Sequence, residues 1–242
     1  MSRSDSQNLW ISIHIPKTGG QTFERGMKVL AQGGLVRDYR NRPVAEDAHE
    51  IRLRQAAMDA ERMNNLEYML GLGRGRVIVH GHFLASKYRA YFPDASYLCW
   101  IRDPIERVCS HYAYWCRESS INQGRSEAEM PGLLEFAEEP RHRDVQSTFV
   151  NDVRMDVFDF LGITQHYSRS MRLFRAWSGI DLPDLNPVNQ NPEREQSSYE
   201  LDSETRSQLE TLNARDIELY ERAMTHFEEL CRIHGVDACE GG

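Results

Sequence analysis

Apolar positions along this chain fall into short, nearly unbroken runs set between longer stretches with helical spacing. That is the arrangement of strands buried on both faces with helices packed against them. Ile11-Ser12-Ile13-His14-Ile15, Val77-Ile78-Val79 and Tyr97-Leu98-Cys99-Trp100-Ile101 read as three such strands. Phe23, Met27 and Leu30 recur at helical spacing and predict a helix from Thr18 to Leu30, ended by Gly33-Gly34. Ala45 to Leu70 reads as a charged helical stretch with Ile51, Leu53, Met58, Met63, Leu66 and Met69 as core contacts. Ile105 to Tyr112, Pro131 to Glu139 and Arg141 to Asn151 predict further helices, and Leu201 to His234 a long terminal helical region. Strands alternating with helices predict an α/β fold, a single domain over residues 1–242 with a mostly parallel central sheet flanked by helices. Residues 1–8 and 239–242 are expected to be flexible ends, and 186–198, rich in Asn and Pro, is the one long structureless segment and a candidate lid.

Composition narrows the function classes. Hydrophobic residues make up 40% of the 242, enough for one sizeable core, and no apolar run approaches the roughly 18 residues of a membrane span. The five cysteines are odd in number and lack Cys-x-x-Cys spacing, as reduced core thiols of a cytoplasmic protein would be. The formal net charge is −8, unevenly spread, with +4 in residues 1–110 and −12 in residues 111–242. Overall acidity without a basic tract argues against a nucleic-acid partner, while the positive half suits a small anionic ligand.

The chemistry sits where the strands end. The first strand empties into Pro16-Lys17-Thr18-Gly19-Gly20-Gln21-Thr22-Phe23, which opens a helix. Glycines admit an anion close to the backbone, successive N–H groups and the helix N-terminus point at it, and a lysine adds charge. Of 29 basic residues only Lys17, Lys28 and Lys87 are lysines, so a lysine at this turn stands out. The order differs from a Walker A loop, because the lysine precedes the two glycines. A second strand delivers Arg102-Asp103-Pro104, with Ser110 about two turns into the following helix, so that a guanidinium and a hydroxyl converge on one phosphate. The third strand ends in His80-Gly81-His82, two imidazoles at the sheet edge suited to proton removal. A structural histidine pair is the alternative there. A metal site would need a third ligand that the sequence does not supply, so no metal is expected.

Pro-Lys-Thr-Gly-Gly-x-Thr-Phe after a strand resembles the 5′-phosphosulfate loop of sulfotransferases that use 3′-phosphoadenosine-5′-phosphosulfate. The likeness is to the carbohydrate branch related to heparan sulfate 2-O-sulfotransferases and to bacterial relatives. Arg-Asp-Pro-x-x-Arg-x-x-Ser-x-Tyr is similar to that family's 3′-phosphate motif, and His-Gly-His to its catalytic element. Val157 to Thr164 resembles the late strand and Gly-Ile-Thr turn of the bacterial members, followed by a helix through Met171, Leu173 and Phe174. The resemblance implies a P-loop-like fold, with Lys17, Thr18, Gly19, Gly20, Gln21 and Thr22 on the 5′-phosphate and Arg102 and Ser110 on the 3′-phosphate. It makes His82 the base, with His80 as its neighbour or in the exchanged role, and Lys17 the aid to the leaving phosphate. It also implies a glycan or small-molecule acceptor, a loop closing over the nucleotide with Asn189 involved, and no metal. A P-loop kinase and a non-catalytic nucleotide- or glycan-binding protein are the competing readings. The kinase would need a Mg²⁺-binding Ser or Thr after a Gly-Lys pair.

Overall fold

The computed structural model describes residues 8–39, 63–124, 126, 129–182 and 198–237. Five parallel strands form one sheet in the order β2-β3-β1-β4-β5, namely β1 (Leu9–Ile13), β2 (Gly34–Asp38), β3 (Val77–Gly81), β4 (Ser96–Ile101) and β5 (Phe158–Ile163). The expected α/β architecture is therefore present, with every pairing parallel. β1 and β3 are buried at every position, as their largely apolar runs require, with Ser12 and His80 as the polar exceptions. β2 is the strand that periodicity did not announce. Its Leu35-Val36 pair is too short a signal, and at this edge of the sheet its first three residues are half-buried and Arg37 is exposed.

Helix α1 (Gly20–Leu30) follows β1 and ends before Gly33-Gly34, which instead lead into β2. Residues 63–71 form α2, and the earlier part of the expected 45–70 stretch lies outside the described residues. α3 (Pro104–Gln123) follows β4 and runs well beyond the expected segment to a left-handed Gly124 cap. Asp103 starts it, accepting from the Glu106 N–H at 2.9 Å, with proline at the first helical position. α4 (Leu133–Glu138) and α5 (Val145–Val150) are shorter than their sequence spans, because Pro140–His142 forms a single 3₁₀ turn and Asp144 has φ +49°.

After β5 come α6 (Tyr167–Ser178), α7 (Ser203–Leu212) and α8 (Ala214–Ile233). The terminal helical region is thus two helices, broken at buried Asn213, whose side chain donates to the Leu209 carbonyl and accepts from the Asp144 N–H. Residues 1–7, 183–197 and 238–242, which hold most of the expected lid and flexible ends, lie outside the described residues, and Asn189 with them.

One core spans the sheet and is rich in rings, with Phe23 of α1 packed between Trp100 (5.5 Å), Phe160 (5.7 Å) and Phe174 (5.3 Å). Phe23 fixes the helix that the loop after β1 opens. A smaller cluster of Ile105, Val108, Cys109, Ala137 and Leu209 ties α3 to α4 and α7. Among the described residues no helix is long and apolar enough to cross a membrane. Cys99, Cys109, Cys116 and Cys231 are free thiols. The chain leaves β1 toward β2 on one side and β4 toward β5 on the other, so the carboxyl ends of β1 and β4 flank the switch point at which open α/β sheets place a ligand crevice.

Candidate active site

The loop between β1 and α1 is held from below and left open above. Thr18 is fully buried and its hydroxyl donates to the Ile15 carbonyl at 2.9 Å, so this side chain braces the loop rather than facing the crevice. Lys17 has φ +70° and Gly19 φ +93°. A left-handed lysine costs of order 1–3 kcal/mol, a strain that concentrates at functional turns. Gly19 is the N-cap of α1 without a side-chain cap, so the first-turn N–H groups of the helix lack a capping acceptor, the condition for an anion site.

The Arg102 turn closes on this loop. Arg102 Nη1 donates to the Lys17 carbonyl at 3.2 Å across 85 residues of sequence, because β1 and β4 are adjacent. The backbone of Arg102 is itself clamped: its N–H donates to Gln146 Oε1 at 2.9 Å and its carbonyl accepts from Gln146 Nε2 at 2.8 Å. Gln146 is fully buried and anchored in turn by Asp216 of α8. Thr164, just after β5, places its hydroxyl 2.7 Å from the Thr18 carbonyl and 3.1 Å from that of Ile101, so the ends of three strands meet at one oxygen.

Ser110 lies half-buried on α3. It shares a helix face with Tyr114 and Arg117 at i, i+4 and i+7. The Lys17 ammonium sits 4.2 Å from the centre of the Tyr114 ring, and Arg117 lies 5.8 Å from the same ring. Burial, then Arg117, then Arg102 lower the Lys17 pKa to about 8, with Glu118 opposing. Three cations therefore gather around one turn. Tyr114 and Arg117 were missed by sequence reasoning; the heptad offset from Ser110 was the available signal.

The imidazoles occupy the other half of the same edge. Ile13, Gly81 and Asp38 share the last paired rung of β1, β3 and β2, so His14, His82 and Tyr39 stand one residue beyond it, side by side. His14 and His82 ring centres are 4.8 Å apart, Tyr39 and His82 4.7 Å, and the Tyr39 hydroxyl lies 3.0 Å from His14 Nδ1. His80 sits one rung pair deeper, 1% exposed, with Nδ1 2.9 Å from the Ser12 hydroxyl and its ring stacked on His14 at 5.0 Å. Burial lowers both His80 and His82 to about 4, and burial with the two neighbouring imidazoles lowers His14 well below its ordinary value. All three are neutral at pH 7. His82 Nε2 is buried with no hydrogen-bond partner among the described residues.

Gly81 explains the spacing of the histidine pair. A Cβ there would lie 1.9 Å from the Asp38 carbonyl oxygen, so any side chain would force β2 and β3 apart. Asp38 is also fixed, buried against Lys87 and the Tyr88 hydroxyl, each at 2.7 Å. His14 and Tyr39 had not been singled out from sequence. His14 was visible three residues before Lys17, but its role depends on a strand neighbour 68 positions away.

Lys17, Arg102, His80 and His82 are thus brought to one edge of the sheet, with Ser110 on the flanking helix. No group of three or more His, Cys, Asp or Glu with metal-binding geometry exists among the described residues. No protein-family model matches the chain, and no curated protein sequence matches it. Among solved structures, the backbone is similar to the crystal structure of a sulfotransferase from Alicyclobacillus acidocaldarius. The TM-score is 0.49 at 15% identity, over 96% of this chain and 97% of that one.

Proposed function

We propose that this chain is a sulfotransferase that moves a sulfuryl group from 3′-phosphoadenosine-5′-phosphosulfate to an acceptor hydroxyl of a glycan or other small metabolite. The observation that carries the reading is the Arg102 to Lys17 contact. It joins two phosphate motifs, distant in sequence, into one cradle, and the neutral imidazoles stand on the adjoining strands. The first-turn N–H groups of α1 take the 5′-phosphate, and Arg102 with Ser110 takes the 3′-phosphate, which selects this donor over ordinary nucleotides.

His82, not His80, receives the acceptor proton, since His80 is enclosed and bonded to Ser12. As the acceptor oxygen bonds to sulfur, the bond from sulfur to the bridging phosphate oxygen breaks. The electron pair stays on the 5′-phosphate and the proton passes to the His82 imidazole. Lys17 stabilises the charge that grows on the departing phosphate. Without ligand, His82 is too weak a base for neutral pH, and the several negative charges of a seated donor raise its pKa toward that range. The free thiols fit a reducing compartment, so the reading places the enzyme in the cytoplasm.

The test is incubation of purified protein with the phosphosulfate donor, ATP and a panel of glycans and small alcohols. Release of 3′,5′-adenosine bisphosphate without added magnesium is expected, with an acid limb of the rate lying above pH 4. Turnover of ATP alone, and only with magnesium, would replace this reading with a kinase. Tight donor binding with no turnover on any acceptor would replace it with a binding protein.

A further inference from the structure

A histidine base is commonly aimed by a hydrogen bond to its second nitrogen, frequently from a carboxylate. His82 has no such partner among the described residues, and its Nε2 is buried and unbonded. What holds the ring is packing. His14 lies on one side at 4.8 Å, Tyr39 edge-on at 4.7 Å, and Phe149 of α5 at 6.0 Å. Two of these three walls are bonded to each other, through the Tyr39 hydroxyl and His14 Nδ1. His14 is further fixed because its N–H donates to the Gly81 carbonyl at 2.8 Å, so its backbone cannot shift away from the strand that carries His82. Tyr39, by contrast, stands one residue beyond the edge strand β2, and its hydroxyl is engaged by His14 on the β1 side and by Glu24 of α1.

We infer that Tyr39, through its hydrogen bond to His14, is a positioning residue that fixes the His82 ring for proton removal. The inference rests on the proposed role of His82 as base. Tyr39 and His14 form a bonded bracket across β3, and the bracket replaces the carboxylate that orients histidine in other hydrolytic and transfer sites. The groups facing the cluster are few. His80 comes from β3, His14 from just past β1, Arg37 from β2 and Tyr39 from just past it, Glu24 from α1 and Lys17 from the loop. Burial and Glu24, the latter in part through a side-chain hydrogen bond, raise the Tyr39 pKa, so the phenol keeps its proton; with that proton directed at the Glu24 carboxylate, the phenol oxygen accepts from His14 in the neutral tautomer that carries its proton on Nδ1.

Tyr39→Phe keeps the ring and deletes the hydroxyl. Turnover is expected to fall about tenfold, a modest share of the roughly 10²- to 10⁴-fold that a general base supplies, while KM for the donor stays within about twofold. The His82 C2-proton resonance, assigned with His82→Gln, should titrate about half a pH unit higher as the loosened ring gains water. A fall in turnover with an unmoved titration would make Tyr39 a substrate contact and overturn the inference, as would wild-type turnover in the variant. If wild-type protein turns over no donor with any acceptor, the proposed function fails on its own, and the titration still decides whether the bracket holds His82. Should Tyr39→Phe not fold, His14→Asn, which keeps a polar atom near the Nδ1 position and removes the ring, must raise the titration in the same way, and an unmoved midpoint overturns the bracket.

Discussion

The two halves of the crevice are built on opposite terms. On the β1 and β4 side, the strand ends are tied by directed hydrogen bonds from Arg102, Gln146 and Thr164, and the charges of Lys17, Arg102 and Arg117 crowd together. On the β2 and β3 side, three neutral imidazoles and a phenol are held chiefly by ring packing, and burial suppresses their charge. Fixed cations are suited to a ligand that arrives already charged. A buried neutral base is suited to a group that becomes charged only during reaction. Under the proposed function, donor binding and proton transfer fall to separate physical devices, and so should be separable by substitution.

The sharpest way to break this division is to remove one side at a time. His82→Ala is expected to lower turnover by roughly 10²- to 10⁴-fold and leave donor affinity by calorimetry within about twofold. Lys17→Met is expected to lower turnover by roughly 10²- to 10³-fold and to weaken donor binding as well. A His82 variant that loses donor affinity would merge the two halves.

A smaller effect is expected at Gly81. The added methyl of Gly81→Ala meets the Asp38 carbonyl, and overpacking of this kind costs about 1–3 kcal/mol. Thermal denaturation should show a melting point lower by about 2–4 °C per kcal/mol, with turnover reduced and donor affinity retained. Unchanged melting would mean that β2 and β3 part freely, and the acceptor side would then be less tightly packed than described.

The last contrast is read in acid. His80 and His82 have folded pKa values near 4 against an ordinary 6.5. Between those values the unfolded chain binds protons that the folded chain refuses, so stability present above pH 6.5 is lost as pH falls toward 4. Urea midpoints measured from pH 7 to 4.5 should fall steadily, and more shallowly in His80→Asn. A flat profile over that window would show that the imidazoles are hydrated, which removes the contrast in charge between the two halves.

The residues to which the proposed function gives the donor were legible in sequence, because they lie within two contiguous strand-turn-helix segments around Lys17 and Arg102. Their meeting followed from the strands being neighbours, which β1 and β4 are. Gln146 was illegible, since a lone glutamine in a short helix carries no periodic or motif signal, although it holds both polar groups of the Arg102 backbone. At the ends of β2 and β3 only His80 and His82 were read. Tyr39 depends on β2, whose weak apolar signal hid the strand itself, and the partnership of His14 with His82 exists only through register. Local chemistry was therefore readable where one segment contains it, and lost where it is made by lateral alignment of strands. The break at Asn213 shows the same limit, because the apolar spacing continues through a residue whose side chain is occupied elsewhere.

Thr164 carries a consequence for donor recognition. Its single hydroxyl touches the carbonyl of Thr18 in the first phosphate turn and that of Ile101 just before the second. Under the proposed function it acts as a ruler, setting the span between the holders of the 5′- and 3′-phosphates. A nucleotide whose two phosphates are spaced differently would have to stretch that ruler to bind, so the length of the donor is measured by an oxygen that never meets it.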